Sequence, residues 1–220
     1  GARSMVTMKQ VGLNVASDPL MSLEYVGIKG GMVILVADDP GPISSQTEQD
    51  TRHFSRFSKL PCFDPSSAQE AYEMIQEAFE YSEKYGTPVF LRPTTRVCHG
   101  YASIMVKDET EYTHHQPEGF IKDSKRWVIF PRLSFMNHKK IEARNQELSD
   151  IFSSYEKNTI HPSCDAFKDS KKGIATGGIS YTYTMETLKK TGMVKTLKIA
   201  TPHPFPEKLA VDFLSGLDEV

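Results

Sequence analysis

A short apolar run, Met32 to Ala37, constrains the fold of this chain more than any other feature. Two glycines precede the run, and two carboxylates and a Pro-Gly-Pro turn follow it. Because polar and apolar residues do not alternate within it, the run predicts a strand buried on both faces, as in the interior of a parallel sheet. Ligands of open α/β sheets bind beyond the carboxyl ends of such strands, so the polar residues after the run are candidates for a site.

Helical and strand patterns alternate through the first hundred residues, which predicts an α/β unit with a parallel sheet. The clearest helical periodicity starts at Ala68, and Gly86 is suited to end that helix. We expect, in order, a helix from Pro19 to about Val26 with Asp18 as its N-cap, the strand described above, a helix from Ser44 to Phe57, a strand from Leu60 to Phe63, the helix from Ala68, and a strand from Val89 to Leu91.

The rest of the chain predicts a linker and a second α/β unit. Residues 101–172 are expected to form a linker that contains a long, charged, bridging helix from about Asn137 to Lys157. Residues 173–220 then repeat the α/β pattern. The expected elements are a strand from Gly173, a glycine turn at Gly177 and Gly178, a helix from Tyr181 to Lys190, a strand from Met193 to Ile199 and a helix from Glu207 to Leu214.

Composition excludes several classes of protein. A formal net charge of -2 over 220 residues offers no basic field for nucleic acid, and no apolar run approaches the roughly 20 residues that span a bilayer. The chain shows no leader, and its three cysteines lack the spacing of a metal site, so we expect a cytoplasmic protein with reduced, buried cysteines and no bound metal in this segment. The abrupt start and finish predict an internal fragment.

Two stretches suggest contacts with an anion, each with an ordinary structural alternative. Arg92, Thr94, Thr95 and Arg96 follow the third predicted strand, where they would bind an anion or cofactor or simply cap the strand with solvated arginines. The glycine pair at Gly177 would let a phosphate approach a helix N-terminus. Tight packing of strand on helix explains the pair without a ligand, and we favour that interpretation because the complete dinucleotide motif is absent.

Three stretches, Ser4 to Leu20, Ala37 to Arg52 and Leu91 to Arg96, closely resemble the alpha subunits of indolepyruvate ferredoxin oxidoreductases. These belong to the thiamine-diphosphate-dependent 2-oxoacid:ferredoxin oxidoreductase superfamily. Gly173 to Glu207 is similar to the next domain of the same subunits. The resemblance implies an incomplete pyrimidine-binding-type domain followed by part of a transketolase C-terminal-like domain.

The activity that the resemblance implies is oxidative decarboxylation of an aryl-2-oxoacid such as indolepyruvate to an acyl-CoA, with ferredoxin as electron acceptor. Thiamine diphosphate with Mg²⁺ would carry the chemistry, and iron–sulfur clusters would lie in the full subunit but outside this segment. Implied partners are the remaining alpha-subunit domains, a beta subunit, ferredoxin, coenzyme A and a second copy through the pyrimidine domain, without nucleic acid or membrane. The activating glutamate and the Gly-Asp-Gly diphosphate motif are outside this chain, so no catalytic residue is assigned.

The resemblance also implies which residues face the cleft. The expected cofactor contacts are Asn14, Asp18, Asp38, Asp39, Ser44, Ser45 and Gln46, and the expected substrate contacts are Arg92, Thr94 and Arg96. Turn and helix-cap chemistry is the alternative for Asp38 and Asp39. For the chain as a whole, the alternatives are a non-catalytic module for subunit contact, which the long striped helix would suit, and the same chemistry on another 2-oxoacid.

Overall fold

The computed structural model describes residues 1–112, 116–161, 171–192 and 194–220. It contains two sheets, a four-stranded one and a three-stranded one, with helices around them. The elements are β1 (Ser4–Lys9), α1 (Gln10–Val26), β2 (Met32–Ala37), α2 (Thr51–Ser58), β3 (Cys62–Phe63), α3 (Ala68–Tyr85), β4 (Val89–Leu91), α4 (Thr95–His99), a short 3-10 helix (Glu109–Glu111), α5 (Ser124–Trp127), α6 (Pro131–Phe152), β5 (Thr159–His161), β6 (Gly173–Gly177), α7 (Gly178–Thr191), β7 (Lys195–Ile199) and α8 (Glu207–Leu214).

The first sheet has the strand order β1-β2-β4-β3, and all of its pairs are parallel. The predicted buried strand is confirmed: β2 lies between β1 and β4, and Val33, Ile34 and Val36 are fully buried. Successive side chains of β2 point to opposite faces, so Ile34 packs with Leu13 and Leu20 of α1 while Val33 packs with the helices on the other face. The absence of polar alternation therefore reflects helices on both sides of the sheet.

Helix α1 begins nine residues earlier than the sequence predicts. It starts at Gln10, directly after β1, and contains Pro19, so Asp18 is not an N-cap. Leu13 and Leu20, seven residues apart on one helical face, are both buried against the sheet. We attribute the early start to this burial, which is worth about 1.5–3 kcal/mol for each leucine and offsets the cost of an internal proline.

The predicted helix from Ser44 is wrong over its first half. Residues 40–50 form a loop, and α2 starts only at Thr51, where the Asp50 carboxylate accepts a hydrogen bond from the Arg52 amide as an N-cap. The Asp39 carboxylate accepts from the amides of Ile43 and Ser44. These bonds hold the chain in a turn that helical geometry could not provide.

The long helix α6 lies along the first sheet. It runs from Pro131 to Phe152, six residues earlier at its start than predicted, with the proline at its first position, which favours a start there. Leu148 and Phe152 are fully buried in the same core as Val33 and Met74. The helix also packs against α1, which covers the first sheet, and against α8, which packs on the second.

The second sheet has the order β5-β7-β6, in which β6 and β7 are parallel and β5 is antiparallel to β7. Strand β5 lies within the segment predicted as a linker. The two sheets meet at β3, where the Cys62 amide donates to the His203 carbonyl oxygen at 2.7 Å and the Asp64 amide donates to the Ala200 carbonyl oxygen at 2.8 Å. These bonds cover the exposed edge of β3.

None of the helices in the described part of the chain combines the length and apolar character that crossing a bilayer requires. Cys62 is buried as predicted, but Cys98 is exposed near the end of α4. Cys164 lies outside the described residues.

Candidate active-site cleft

Charged residues follow three neighbouring strands of the first sheet and meet as a buried cluster. Asp38 follows β2, Asp64 follows β3 and Arg92 follows β4, and none of the three is more than 2% exposed. Arg92 Nε donates to Asp38 Oδ2 at 2.6 Å and Nη1 donates to Asp64 Oδ2 at 3.1 Å. Because the carboxyl ends of parallel strands lie at one edge of a sheet, three residues distant in sequence form one network.

Asp50 and Arg52, at the start of α2, extend the cluster. Asp50 Oδ1 lies 3.5 Å from Arg92 Nη2, and Arg52 binds the Asp50 carboxylate at 2.6 Å. Burial of Asp50 opposes its ionisation, but hydrogen bonds from Arg52 and the charge of Arg92 outweigh burial and lower its pKa to about 2. The Arg52 side chain is 44% exposed and forms part of the cluster's solvent-facing edge.

Burial dominates the pKa of Asp64. Complete burial raises the pKa of its carboxyl to about 6, despite the nearby charges of Arg92 and Arg52. Burial also opposes the charge of Arg92, but three carboxylates around it raise the net pKa of the guanidinium, which stays protonated. The cluster thus holds a permanent cation beside a carboxyl of raised pKa.

Asp39 faces the other way, into the loop that follows β2. Its Oδ1 accepts from the Thr95 hydroxyl at 2.6 Å, and its Oδ2 accepts from the Ser44 amide at 2.8 Å. These bonds hold the pKa of Asp39 well below its usual range. The carboxylate is occupied in shaping the loop, as the turn interpretation of this residue expects.

A cavity of about 430 Å³ opens between the two sheets at this edge. One wall is the end of the first sheet and the other is the start of α7, from Gly177 to Ser180, with Tyr183 one turn further. Buried polar atoms without a hydrogen-bond partner in the described part of the chain concentrate around this cavity. They include Arg92 Nη2, Thr94 Oγ1, Asp64 Oδ1, Asp38 Oδ1 and Thr51 Oγ1.

Two of these unpartnered atoms belong to residues that line the cavity, and both are donors that an anion would satisfy. Arg92 Nη2 and Thr94 Oγ1 lie on side chains that are 2% and 6% exposed. Arg52 and Arg96 add positive charge at the rim, and the N-terminus of α7 carries the partial positive charge of a 14-residue helix. A buried polar group normally has a partner, so these two donors are groups that an anionic ligand or ordered water would satisfy.

The glycine pair is explained by close packing, as the sequence analysis favoured. A side chain at Gly177 would clash with the Ile199 carbonyl oxygen, and a Cβ at Gly178 would lie 2.8 Å from Asp64 Oδ1. Gly178 also has a positive φ of 52°, which glycine adopts without strain. The second sheet can therefore approach the charged cluster only with glycine at this turn.

The structure brings most, but not all, of the predicted contacts to the cleft. Asp39, Arg92, Thr94 and Arg96 line the cavity, and Asp38 lies directly beneath Arg92. Ser44, Ser45 and Gln46 lie in the adjoining loop, and Lys9 Nζ donates to the Ser44 carbonyl oxygen at 2.8 Å. Asn14 and Asp18, expected in a loop, are instead exposed on α1 and do not line the cavity, because helix α1 continues through them.

Asp64 is the residue of the cluster that the sequence pattern missed, whereas Asp50 and Arg52 belong to the polar stretch after Ala37 that was predicted to border the site. Asp64 follows a predicted strand, as Asp38 does, and this shared position was the signal that could have identified it. As for a metal, the described residues contain no group of three or more His, Cys, Asp or Glu side chains placed to hold one. The arginines and the threonine that line the cavity fit an anionic ligand group.

Comparison with solved structures shows which fold this is. The fold matches a 2-oxoglutarate:ferredoxin oxidoreductase from Magnetococcus marinus, solved with 2-oxoglutarate, coenzyme A and succinyl-CoA bound, at a TM-score of 0.66 and 15% identity, over 98% of this chain and 44% of that one. No family model matches the chain. The likeness is one of fold, and it confirms the predicted α/β fold class.

Curated relatives match the chain more closely in sequence. The indolepyruvate oxidoreductase subunit IorA of Methanothermobacter thermautotrophicus is 41% identical over 222 residues, and those of Pyrococcus abyssi and Archaeoglobus fulgidus are 40% and 37% identical. Each match covers the whole of this chain but only 34–35% of the relative. The chain is thus similar along its whole length to IorA subunits of indolepyruvate oxidoreductases and spans about a third of their length, which confirms the resemblance.

Proposed function

We propose that the complete protein oxidatively decarboxylates an aryl-2-oxoacid of the indolepyruvate type to an acyl-CoA, with ferredoxin as electron acceptor. This chain supplies part of the wall of the cleft in which the 2-oxoacid binds. The observation that carries the proposal is a pair of buried donors, Arg92 Nη2 and Thr94 Oγ1, which have no hydrogen-bond partner among the described residues. Both belong to residues that line a cavity in a chain related to IorA along its whole length.

Arg92 and Thr94 bind the substrate carboxylate in this proposal. A guanidinium N–H and a hydroxyl match the two oxygens of a carboxylate, and burial makes these charge-assisted bonds stronger than they would be in water. Arg96 at the rim attracts the anion into the cavity. Thiamine diphosphate, when bound, supplies the carbanion chemistry, while the residues of this chain bind the acid and orient it.

The cofactor contacts belong to the same proposal. Asp38, Asp39 and the loop from Ser44 to Gln46 border the cleft, which supports a position for thiamine diphosphate on that side. Asn14 and Asp18 are exposed on α1, so they would contact the cofactor only if protein outside this chain held the cofactor against that helix. The two sheets are then parts of a pyrimidine-binding-type domain and a transketolase C-terminal-like domain, with residues 101–172 between them.

A second candidate function, subunit contact, is favoured by exposed apolar side chains. Tyr101, Met105, Phe120 and Phe135 are each more than 60% exposed in the segment between β4 and the middle of α6. Surface clusters of this kind mark protein interfaces. Contact with a beta subunit or a second copy is compatible with the enzymatic proposal, and ferredoxin and coenzyme A would be partners of the complete enzyme.

Replacing Thr94 by valine tests the proposal. The hydroxyl has no partner, so its loss should leave the thermal midpoint unchanged or raise it slightly. If the hydroxyl binds substrate, KM for indolepyruvate should rise about tenfold in the complete enzyme. Thr187→Val, an exposed change on α7, is the matched control and should leave both quantities unchanged. An unchanged KM in T94V would contradict the proposal.

A further inference from the structure

We infer that Asp64 is a positioning residue of the cleft, which aims the free N–H group of Arg92 into the cavity and sets the first turn of α7 against it. The inference rests on the proposed function for its kinetic readout. Its basis is the geometry of one buried carboxylate that lies between the two walls of the site.

The first part of the geometry is the clamp on Arg92. Asp38 binds Nε and Asp64 binds Nη1, so two edges of the planar guanidinium are fixed by two carboxylates. Nη2 remains on this cavity-lining side chain; it makes no hydrogen bond within the described residues and has only Asp50 nearby, at 3.5 Å. Without Asp64, only the hydrogen bond from Nε to Asp38 would hold the guanidinium. The group could then rotate, and the direction of Nη2 would no longer be fixed.

The second part is the contact with α7. Asp64 Oδ1 has no hydrogen-bond partner and faces Gly178, whose Cβ position is 2.8 Å away. A carboxylate at this end of a helix is favoured by the helix dipole. The Asp64 amide also donates to Ala200 of the second-sheet segment. One residue of the first sheet thereby fixes an arginine on its own side and a helix start on the other.

A purely structural role for Asp64 makes a different prediction, and Glu70 offers the comparison. Glu70 is 7% exposed and forms an ion pair with Lys198 of β7, so it too is a buried acid that joins the first sheet's helices to the second sheet. It does not line the cavity. If Asp64 only holds the two sheets together, replacing Asp64 or Glu70 should change KM alike. If Asp64 orients the Arg92 guanidinium, only the Asp64 variants should change KM.

The experiment compares Asp64→Asn, Asp64→Glu and Glu70→Gln in the complete enzyme. We expect KM for indolepyruvate to rise about tenfold in both Asp64 variants, with kcat changed less than about twofold, and to stay at the wild-type value in E70Q. Equal KM changes in D64N and E70Q, or an unchanged KM in both Asp64 variants, would overturn the inference. So would unfolding of both Asp64 variants while E70Q stays folded, since the role would then be structural.

A binding measurement separates this inference from the proposed function. Phenylpyruvate, used as the probe, should raise the thermal midpoint of wild type and E70Q but raise that of D64N much less. If wild type binds phenylpyruvate and turns over no aryl-2-oxoacid, the proposed function fails and the positioning role stands. If D64N is stabilised as much as wild type, the positioning role fails whatever the activity.

Discussion

The amide N–H of Cys62 donates to the carbonyl oxygen of His203 over 2.7 Å, and this bond joins the edge of the first sheet to the segment that follows the second. The His203 ring lies in the same junction, with Nε2 buried and unpartnered. Burial, followed by the positive charges of Arg144, Lys59 and Arg56, lowers the pKa of His203 to about 4. The junction is therefore built for a neutral imidazole.

Acid should weaken this junction. The pKa of His203 is lower in the folded protein than the ordinary value of 6.5, so the unfolded chain binds the proton first as pH falls. The contribution of neutral His203 to the free energy of unfolding is fully present above pH 6.5. It is lost as the pH falls towards 4, and the total loss is about 3 kcal/mol. Thermal midpoints measured from pH 7.5 to 4.5 should fall more steeply in wild type than in His203→Gln. Parallel curves would show that His203 is not responsible.

The core under α6 should be sensitive to truncation. Phe152 is fully buried and packs edge-on against Phe63 at 5.7 Å between ring centroids. Phe152→Ala should lower the free energy of unfolding by about 3–5 kcal/mol, because it removes a large side chain and leaves a cavity. Phe135→Ala, on the same helix but 63% exposed, should change it by less than about 0.5 kcal/mol. Equal effects in denaturant unfolding would show that α6 does not pack as described.

Gly178 should tolerate alanine poorly, and Gly216 provides the control. Both glycines have positive φ, 52° and 81°, but of the two only a Cβ at Gly178 meets another group, the Asp64 carboxylate at 2.8 Å. Backbone strain alone costs on the order of 1 kcal/mol, which both alanine variants should show. G178A should lose clearly more stability than G216A and should also raise KM. A similar loss in the two variants would mean that the Asp64 contact is not tight.

Glu24 and Arg144 form a buried ion pair, and removing the arginine alone should destabilise the protein more than removing both charges. Glu24 is 3% exposed, and burial raises its pKa although Arg144 binds it at 2.5 Å. Arg144→Met would leave a buried carboxylate without its counter-charge, which costs about 3–5 kcal/mol. Adding Glu24→Gln should recover part of that loss, since the amide carries no charge to neutralise. Denaturant unfolding of the single and double variants measures this recovery. If the double variant recovers no stability, the two residues do not form a charged pair.

Elements with clear local boundaries were predictable from the sequence. Strand Val89–Leu91 and helix Glu207–Leu214 have the predicted bounds, because Pro88 and Pro206 precede them and apolar periodicity is strong within them. The edge strands β1 and β5 were not predicted, although the edge strands β3 and β6 were. β1 pairs with β2 about 28 residues away, and β5, inside the predicted linker, pairs with β7 35 to 39 residues away, so nothing in their own sequence specifies the partner.

The site was predicted in outline only. Asp38, Asp39 and Arg92 were identified because each follows a recognisable strand. The loop containing Ser44 was mistaken for helix, since its conformation depends on the Asp39 carboxylate and on Lys9, which lies 35 residues away. Asp64 was missed because its role depends on Arg92 and Gly178, neither of which is near it in sequence.

Ferredoxin reduction by the complete enzyme tests the central claim most directly. Purified with its partner subunits and supplied with thiamine diphosphate, Mg²⁺ and coenzyme A, the protein should reduce ferredoxin with indolepyruvate or phenylpyruvate and much more slowly with 2-oxoglutarate. The reduction should require coenzyme A, and T94V should show it at a raised KM. Absence of ferredoxin reduction with every aryl-2-oxoacid tried would contradict the account.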